Sequence, residues 1–280
     1  MMKKIKLSKI QREYRLKSAQ KEELKKLVDC CTKKEGLHLG LDPEDEEALY
    51  FLGFHSENLI CASALFEIEK GCFEYISFTH PAYRRRGCFT LLWKEVLSHP
   101  VLKKEEEISV DILSDSSCPA GAAAAASLGA NIFCTEHYFY LDAKNQKNSL
   151  PVEKIENLLP GALILEEIEE NLYRISHIKA VDRDFEKTNP LAFFSLIKLR
   201  DKKTAYFYGF EILPPYKGRG LGDALFAFIK STLIERGYER IELQVKDSNL
   251  AAMKIYQNAG FRKEYSISYH RILIKKKLYP

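Results

Sequence analysis

Apolar positions recur along the chain in two rhythms. Over residues 18–33, Leu24, Leu27, Val28 and Cys31 share one face at helical spacing, which predicts a helix. Residues 59–69 and 73–78, and again 192–199 and 205–213, are apolar and aromatic-rich runs joined by turn residues, which predicts two strand pairs. Leu221, Leu225, Phe228, Ile229 and Leu233 return close to a 3.6-residue period, so a helix is predicted there, with Gly237 as its stop. A strand over 240–245, a short helix over 249–258 ended by Gly260, and a strand over 265–274 follow. The first half echoes this order with a strand at 107–113, a helix at 119–128 and a strand at 131–141. The acidic stretch 42–47, with Pro43 after Asp42, reads as a capped helix start on the surface with no function of its own.

The echo extends to single residues. Pro81, Tyr83, Arg86 and Gly87 recur as Pro214, Tyr216, Arg219 and Gly220, each 133 positions on, and Gly129 recurs as Gly260, 131 positions on. Two units of about equal length carrying the same ordered landmarks indicate an internal repeat. The division is expected within 143–150, which is polar (Lys144, Asn145, Gln146, Lys147, Asn148, Ser149), with Pro151 at the first turn of a new helix. The expected domains are therefore 1–145 and 146–280.

Composition narrows the classes. All seven cysteines lie before residue 135, and an odd count without a CxxC pair argues against a disulfide framework and a zinc site. Reduced thiols, a cytoplasmic location and no metal are expected. The net charge is +4, with lysines clustered at the two ends (Lys3, Lys4, Lys275, Lys276, Lys277) rather than on one face, so nucleic acid is not an expected partner. No apolar run approaches the ~18 residues that span a bilayer. No apolar segment follows the basic residues 1–9, so neither a membrane span nor a signal peptide is expected.

The candidate chemistry lies in Lys217, Gly218, Arg219, Gly220, Leu221 and Gly222, between a strand and a helix. Glycines allow a sharp turn and close approach of the backbone to a ligand. Unpaired N–H groups at a helix start suit an anion, and Lys217 and Arg219 add positive charge. No Lys-Ser or Lys-Thr follows Gly222, which excludes a P-loop. Asp223 and Leu225 stand where a dinucleotide fingerprint needs glycine. A phosphate cradle and a plain glycine turn both remain open.

With Ile212, Leu213, Pro214 and Tyr216 before it, this loop resembles the signature of the GNAT (N-acetyltransferase) superfamily, with Lys217 where the family prefers Arg or Gln. A second element, Val245, Asn249, Ala252, Tyr256, Gly260 and Phe261 in order, resembles the family's following strand and helix. The match covers about 205–275. It implies an α/β fold with a mixed sheet, built as two tandem GNAT-like domains. It implies acetyl-CoA as co-substrate, lying between two splayed parallel strands. The pyrophosphate would rest on 218–222, the backbone of Ile212 and Leu213 would meet the acyl carbonyl and pantetheine, Asn249 would contact pantetheine, and Tyr256 would be the general acid. The implied reaction is direct attack by a primary amine, from a small molecule or a peptide, on the thioester. Glu211 and Glu242 are the nearest carboxylates in sequence for a base, with strand alternation turning Glu211 away from the side of Phe210 and Ile212.

The first half departs from the pattern. Phe89 stands where the family has Gly or Ala, and Ala125 where the second half has Tyr256. It is expected to be a degenerate GNAT-like domain without catalysis, its Phe89 ring occupying the space where backbone would approach a pyrophosphate. The tandem arrangement with an active second half is similar to the mycothiol synthase type. A CoA-binding module without turnover and a nucleotide-binding oxidoreductase are the competing readings. Two fused units could mimic a dimer within one chain, and a homodimer of the chain is compatible with the sequence.

Overall fold

A computed structural model describes residues 4–143, 161–179 and 189–275. In chain order the first unit forms β1 (Lys9–Glu13), α1 (Ser18–Glu35), β2 (Leu49–His55), β3 (Asn58–Glu69), β4 (Cys72–Thr79), α2 (Cys88–Ser98), β5 (Glu107–Asp115) and α3 (Pro119–Ser127). β6 (Asn131–Asp142) leads into β7 (Gly161–Glu169), β8 (Leu172–Lys179), β9 (Asn189–Lys198) and β10 (Thr204–Ile212). Then come α4 (Leu221–Glu235), β11 (Arg240–Lys246), α5 (Leu250–Asn258) and β12 (Arg262–Lys275).

The predicted helices and strands of the repeat are present, their ends shifted by one to three residues. α1 shows why. Leu24, Leu27 and Cys31 are buried on one face, and the chain leaves the helix at Gly36 in the left-handed conformation, with Lys33 and Lys34 in the last turn, where cations meet the helix dipole favourably. Leu24 is fully buried against the face of the first sheet that carries Tyr50, Leu52 and Ala62, so Leu24→Ala should cost about 2–5 kcal/mol. The opposite face of that sheet holds a second core, with Phe51, Tyr75, Leu92 and Trp93.

Four strands escape the pattern reading: β1, β2, β7 and β8. β7 and β8 form an antiparallel hairpin turned at Asn171, whose φ is +64°. Residues 42–47 form no helix. Asp42 and Asp45 accept the N–H groups of Glu44 and Glu47 through their side chains, making turns that compete with a helix start. The expected helix at Pro151 lies outside the described residues.

The units are also cut differently from the sequence reading. One comprises Met1–Thr135 and Tyr265–Pro280, the other Glu136–Glu264. In the first, the strand order is β1-β2-β3-β4-β5-β12, and in the second β6-β11-β10-β9-β8-β7. Each sheet is mixed: β4 and β5 are parallel in the first, β10 and β11 in the second, and the other described pairings are antiparallel. The last strand of each half in the sequence thus completes the other half's sheet. β12 pairs with β5 from Ile267↔Asp115 to Lys275↔Glu107, and β6 pairs with β11 from Glu136↔Lys246 to Asp142↔Arg240. Arg271 pins the first exchange, with a two-pronged bond to Asp111 at 2.7 Å per prong and its guanidinium 3.3 Å from the Phe133 ring centre. Arg240 lies 4.3 Å over Tyr140 in the second.

Candidate functional site

In the second unit, β10 and β11 run parallel for only four residue pairs, Thr204↔Arg240 to Phe207↔Leu243. Beyond Phe207 the two strands part. β10 stays with β9, whereas β11 stays with β6 as far as Lys246. A bulge accompanies the parting: Tyr208 pairs with Ser195 and Glu211 with Phe193, so Gly209 (φ +67°) and Phe210 break the ladder. The result is a cleft between two parallel strands with interrupted backbone pairing on one wall.

The glycine-rich loop closes the end of β10. Pro214–Tyr216 is a short 3-10 turn, Gly218 and Gly220 have φ of +74° and +72°, and α4 begins at Leu221. No atom lies within 4 Å of where a Cβ would stand on either glycine, so positive φ, not crowding, selects glycine here. Arg219 lies 5.7 Å over the ring of Tyr216. Leu221 is buried in the core and offers only its backbone to a ligand. At Gly222 the constraint is packing, since a Cβ would lie 2.7 Å from Cδ1 of Ile255 on α5.

Tyr256 sits on α5, 7% exposed, its ring 5.0 Å from Phe226 and 6.2 Å from Phe261 in the core of the second unit. Its hydroxyl makes no hydrogen bond among the described residues. Burial pushes the phenol up to about 12, so it stays protonated at neutral pH.

Several of the expected site residues have partners within the protein. The N–H of Leu213 donates to the carbonyl of Leu191 at 2.8 Å, so it is not free to meet an acyl oxygen. Ile212 likewise stays in the ladder with Ala192. The unladdered backbone is at Gly209 and Phe210, which no side-chain motif marks. Asn249 is the N-cap of α5, its Oδ1 accepting the N–H of Ala252 at 3.1 Å, which leaves only its amide NH2 for a ligand. Lys217 is not a free cation: its Nζ lies 2.9 Å from Oε1 of Glu211. This pair is more than half exposed at both ends, so it is weak and a phosphate could displace it.

Residues 155–261 match the model of the Acetyltransferase (GNAT) family. This segment is a GNAT domain. The chain is 34% identical over 74 residues to an acetyltransferase of Sodalis glossinidius, covering 26% of this chain and 48% of the relative. It is 38% identical over 72 residues to a mycothiol acetyltransferase of Clavibacter sepedonicus, covering 26% of this chain and 23% of the relative. The chain thus spans about half the length of these curated relatives or less. A GCN5-related N-acetyltransferase from Sphaerobacter thermophilus superposes with a TM-score of 0.67 at 14% identity, over 97% of this chain and 98% of its own. A tandem GNAT protein from the clavulanic acid biosynthesis pathway gives 0.63 at 11% identity, over 95% and 98%. These two likenesses concern the fold, and they extend over both units.

Within the second unit the exchanged strand β6 brings two groups that the sequence gives no reason to associate with it. Glu136 accepts from Nε2 of Gln244 at 2.7 Å, and Oε1 of Gln244 accepts from the Tyr206 hydroxyl at 2.9 Å, a chain that crosses β6, β11 and β10. His137 stands opposite Val245, at the end of β11. Burial, and then the charge of Lys263, lower its pKa, which keeps the imidazole neutral and able to accept a proton. Glu242, a carboxylate near in sequence, is held by Arg240 at 2.6 Å instead.

Proposed function

We propose that the second unit transfers an acetyl group from acetyl-CoA to a primary amine. The observation that carries this reading is the end of β10–β11 pairing at Phe207↔Leu243, directly before a loop with two left-handed glycines. A flexible arm fits between the parted strands, and an anion fits the loop and the first turn of α4. One feature opposes the anion: Asp223 lies in that first turn, although its carboxylate accepts from Asn258 at 3.0 Å. Arg219 and the displaceable Lys217 offset it.

The amine nitrogen attacks the thioester carbonyl carbon, forming the C–N bond. The backbone N–H groups at the Gly209–Phe210 bulge are the donors suited to the oxyanion. The C–S bond then breaks, and the departing sulfur takes the proton of Tyr256. A phenol near 12 gives up its proton to a thiolate only if transfer accompanies C–S cleavage, so Tyr256 acts on the collapsing intermediate and not on free thiolate. The amine's surplus proton leaves through a neutral acceptor, a role we assign to His137, opposite Val245 on β11. The acceptor is a small molecule or a peptide amine. All seven cysteines are free thiols, which fits a reducing compartment such as the cytoplasm. No described helix is long and apolar enough to cross a membrane.

The test is thiol release from acetyl-CoA with an amine panel, run on the parent and on Gly220→Trp. Release that requires an amine and is lost in the variant supports the reading. Saturable binding of acetyl-CoA with no release from any amine would favour a CoA-binding module instead.

A further inference from the structure

Two thiols of the first unit meet inside its core. Cys61 on β3 is fully buried, and Cys88, the first residue of α2, is 2% exposed. Both belong to the core that holds Phe51, Tyr75 and Trp93. Their side chains hydrogen-bond to one another. Each sulfur also faces a backbone carbonyl, Cys61 that of Gly53 at 3.8 Å and Cys88 that of Tyr83 at 3.6 Å. The space for the pair is fitted: a Cβ on Gly53 would lie 2.5 Å from Sγ of Cys61. Gly53 has no positive φ, so glycine supplies room for the sulfur there and not a special backbone conformation.

Packing alone does not call for sulfur at this point. One repeat on, α4 opens with Leu221, also buried, where α2 opens with Cys88. Residues 136–264 contain no cysteine at all. The two sulfurs also differ in chemistry. Cys88 sits at the N-terminus of an 11-residue helix, where the helix dipole favours negative charge. The hydrogen bond from Cys61, and the charge of Arg86, hold its thiol below the ordinary range against the opposing effect of burial. The same hydrogen bond, and then burial, hold the Cys61 thiol high, so it keeps its proton. One sulfur is thus suited to attack an oxidant and the other to resolve the product.

Burial does not seal Cys88 off. It lines an open cavity of about 490 Å3 within the first unit. Hydrogen peroxide needs little more room than water, whose share of liquid volume is about 30 Å3. Other thiols nearby are less suited. Burial pushes Cys31 up to about 11, and burial raises Cys118 as well.

We infer that Cys61 and Cys88 are a redox pair, which hydrogen peroxide closes into a disulfide that moves the start of α2. The Cys88 thiolate attacks one peroxide oxygen and the O–O bond breaks. This leaves a sulfenic acid on Cys88 and hydroxide, which takes up the proton that Cys88 released and becomes water. The Cys61 sulfur then attacks the Cys88 sulfur, the S–O bond breaks, and the Cys61 proton leaves with the hydroxyl as a second water. Two thiols are oxidised to one disulfide, and one peroxide is reduced to two waters. A disulfide holds its sulfurs about 2.05 Å apart, closer than two thiols in contact. Cys61 is fixed between Gly53 on β2 and Thr79 on β4, whereas Cys88 only begins a helix, so the start of α2 takes up the movement. Disulfides of this kind in a reducing compartment are transient and sensing. The inference goes beyond acetyl transfer and does not depend on it.

The full chain is treated with increasing hydrogen peroxide, its remaining thiols are blocked with iodoacetamide, and its peptides are mapped by mass spectrometry without reductant. The expected first product is a chain lighter by two hydrogens, with residues 61 and 88 linked, which dithiothreitol reverses. Trp93, the only tryptophan of the chain, lies in the second turn of α2, and its fluorescence should change and return with the link. In Cys61→Ala, with the melting temperature checked, the link is lost and dimedone, which traps sulfenic acid, labels Cys88. In Cys88→Ala it leaves Cys61 unlabelled. Survival of both thiols at peroxide levels that oxidise free cysteine, a first link between other cysteines, or a 61–88 link with unchanged Trp93 fluorescence would overturn the inference. The mapping is made on the parent chain, so a variant that folds poorly does not decide the outcome. No acyl group takes part in the test, so this inference and acetyl transfer fail independently.

Discussion

Gly222 on α4 and Ile255 on α5 share one space: a Cβ on the glycine would lie 2.7 Å from Cδ1 of the isoleucine. The contact ties the start of the helix after the anion loop to the helix that carries Tyr256. Alanine at 222 gains up to ~1 kcal/mol of helix propensity but must displace Ile255. The sign of the single substitution is thus mixed, whereas the coupling is not. Gly222→Ala should be more favourable by about 1 kcal/mol in an Ile255→Ala background than alone, measured by a urea double-mutant cycle. A coupling near zero would mean that the two helices do not touch at this point.

Tyr256→Phe should separate catalysis from packing. The hydroxyl makes no protein hydrogen bond among the described residues, so stability should stay within ~0.5 kcal/mol of the parent. Thiol release should fall by ~10²–10⁴-fold if the phenol is the acid. The phenol's folded pKa, about 12, is above its unfolded value, so its contribution to stability is present below pH 10 and lost as pH rises from 10 towards 12. Tyr256→Phe should therefore lose less stability than the parent across that window.

Acid acts through the imidazoles of buried His270 and half-buried His137. Burial lowers the pKa of His270, and burial with Lys263 lowers that of His137. The unfolded chain then takes up protons first, near pH 6.5, so stability is held above that pH and lost as pH falls through it. His270→Gln, which can still accept from Ser114, should flatten the decline between pH 7 and 5.5 in chemical denaturation series. An unchanged slope would remove His270 from the account.

The strand exchange predicts how the chain can be cut. Residues 1–145 alone lack β12, leaving β5 as an open edge and Asp111 without Arg271. That fragment should be poorly folded by circular dichroism and amide dispersion, while 1–135 joined to 265–280 by a short linker should fold. Equal behaviour of the two would argue that β12 is dispensable.

Much of each unit was legible along the chain. The helices of the repeat were read from apolar spacing, and the loop at 217–222 from its glycines and cations, because both depend on interactions a few residues apart. The strands β1, β2, β7 and β8 were not. Their neighbours lie far away in sequence, and nothing local distinguishes a half-polar strand such as β7, with Glu166, Glu167 and Glu169, from an irregular segment. The partners of the site residues were not legible either. Leu213 fits the motif, but its N–H is taken by Leu191, and Asn249 fits the motif, but its side-chain oxygen caps a helix.

The sequence by itself determined the repeat, the helices, the loop with two glycines in the left-handed conformation and Tyr256 on the last helix, since these follow from local backbone preference and from periodicity. Only the tertiary structure decided which strand completes which sheet and that Glu136 and His137 belong beside β11. Those outcomes depend on register and on matched volumes between residues distant in the chain, such as Gly222 with Ile255, and neither quantity is written at any single position.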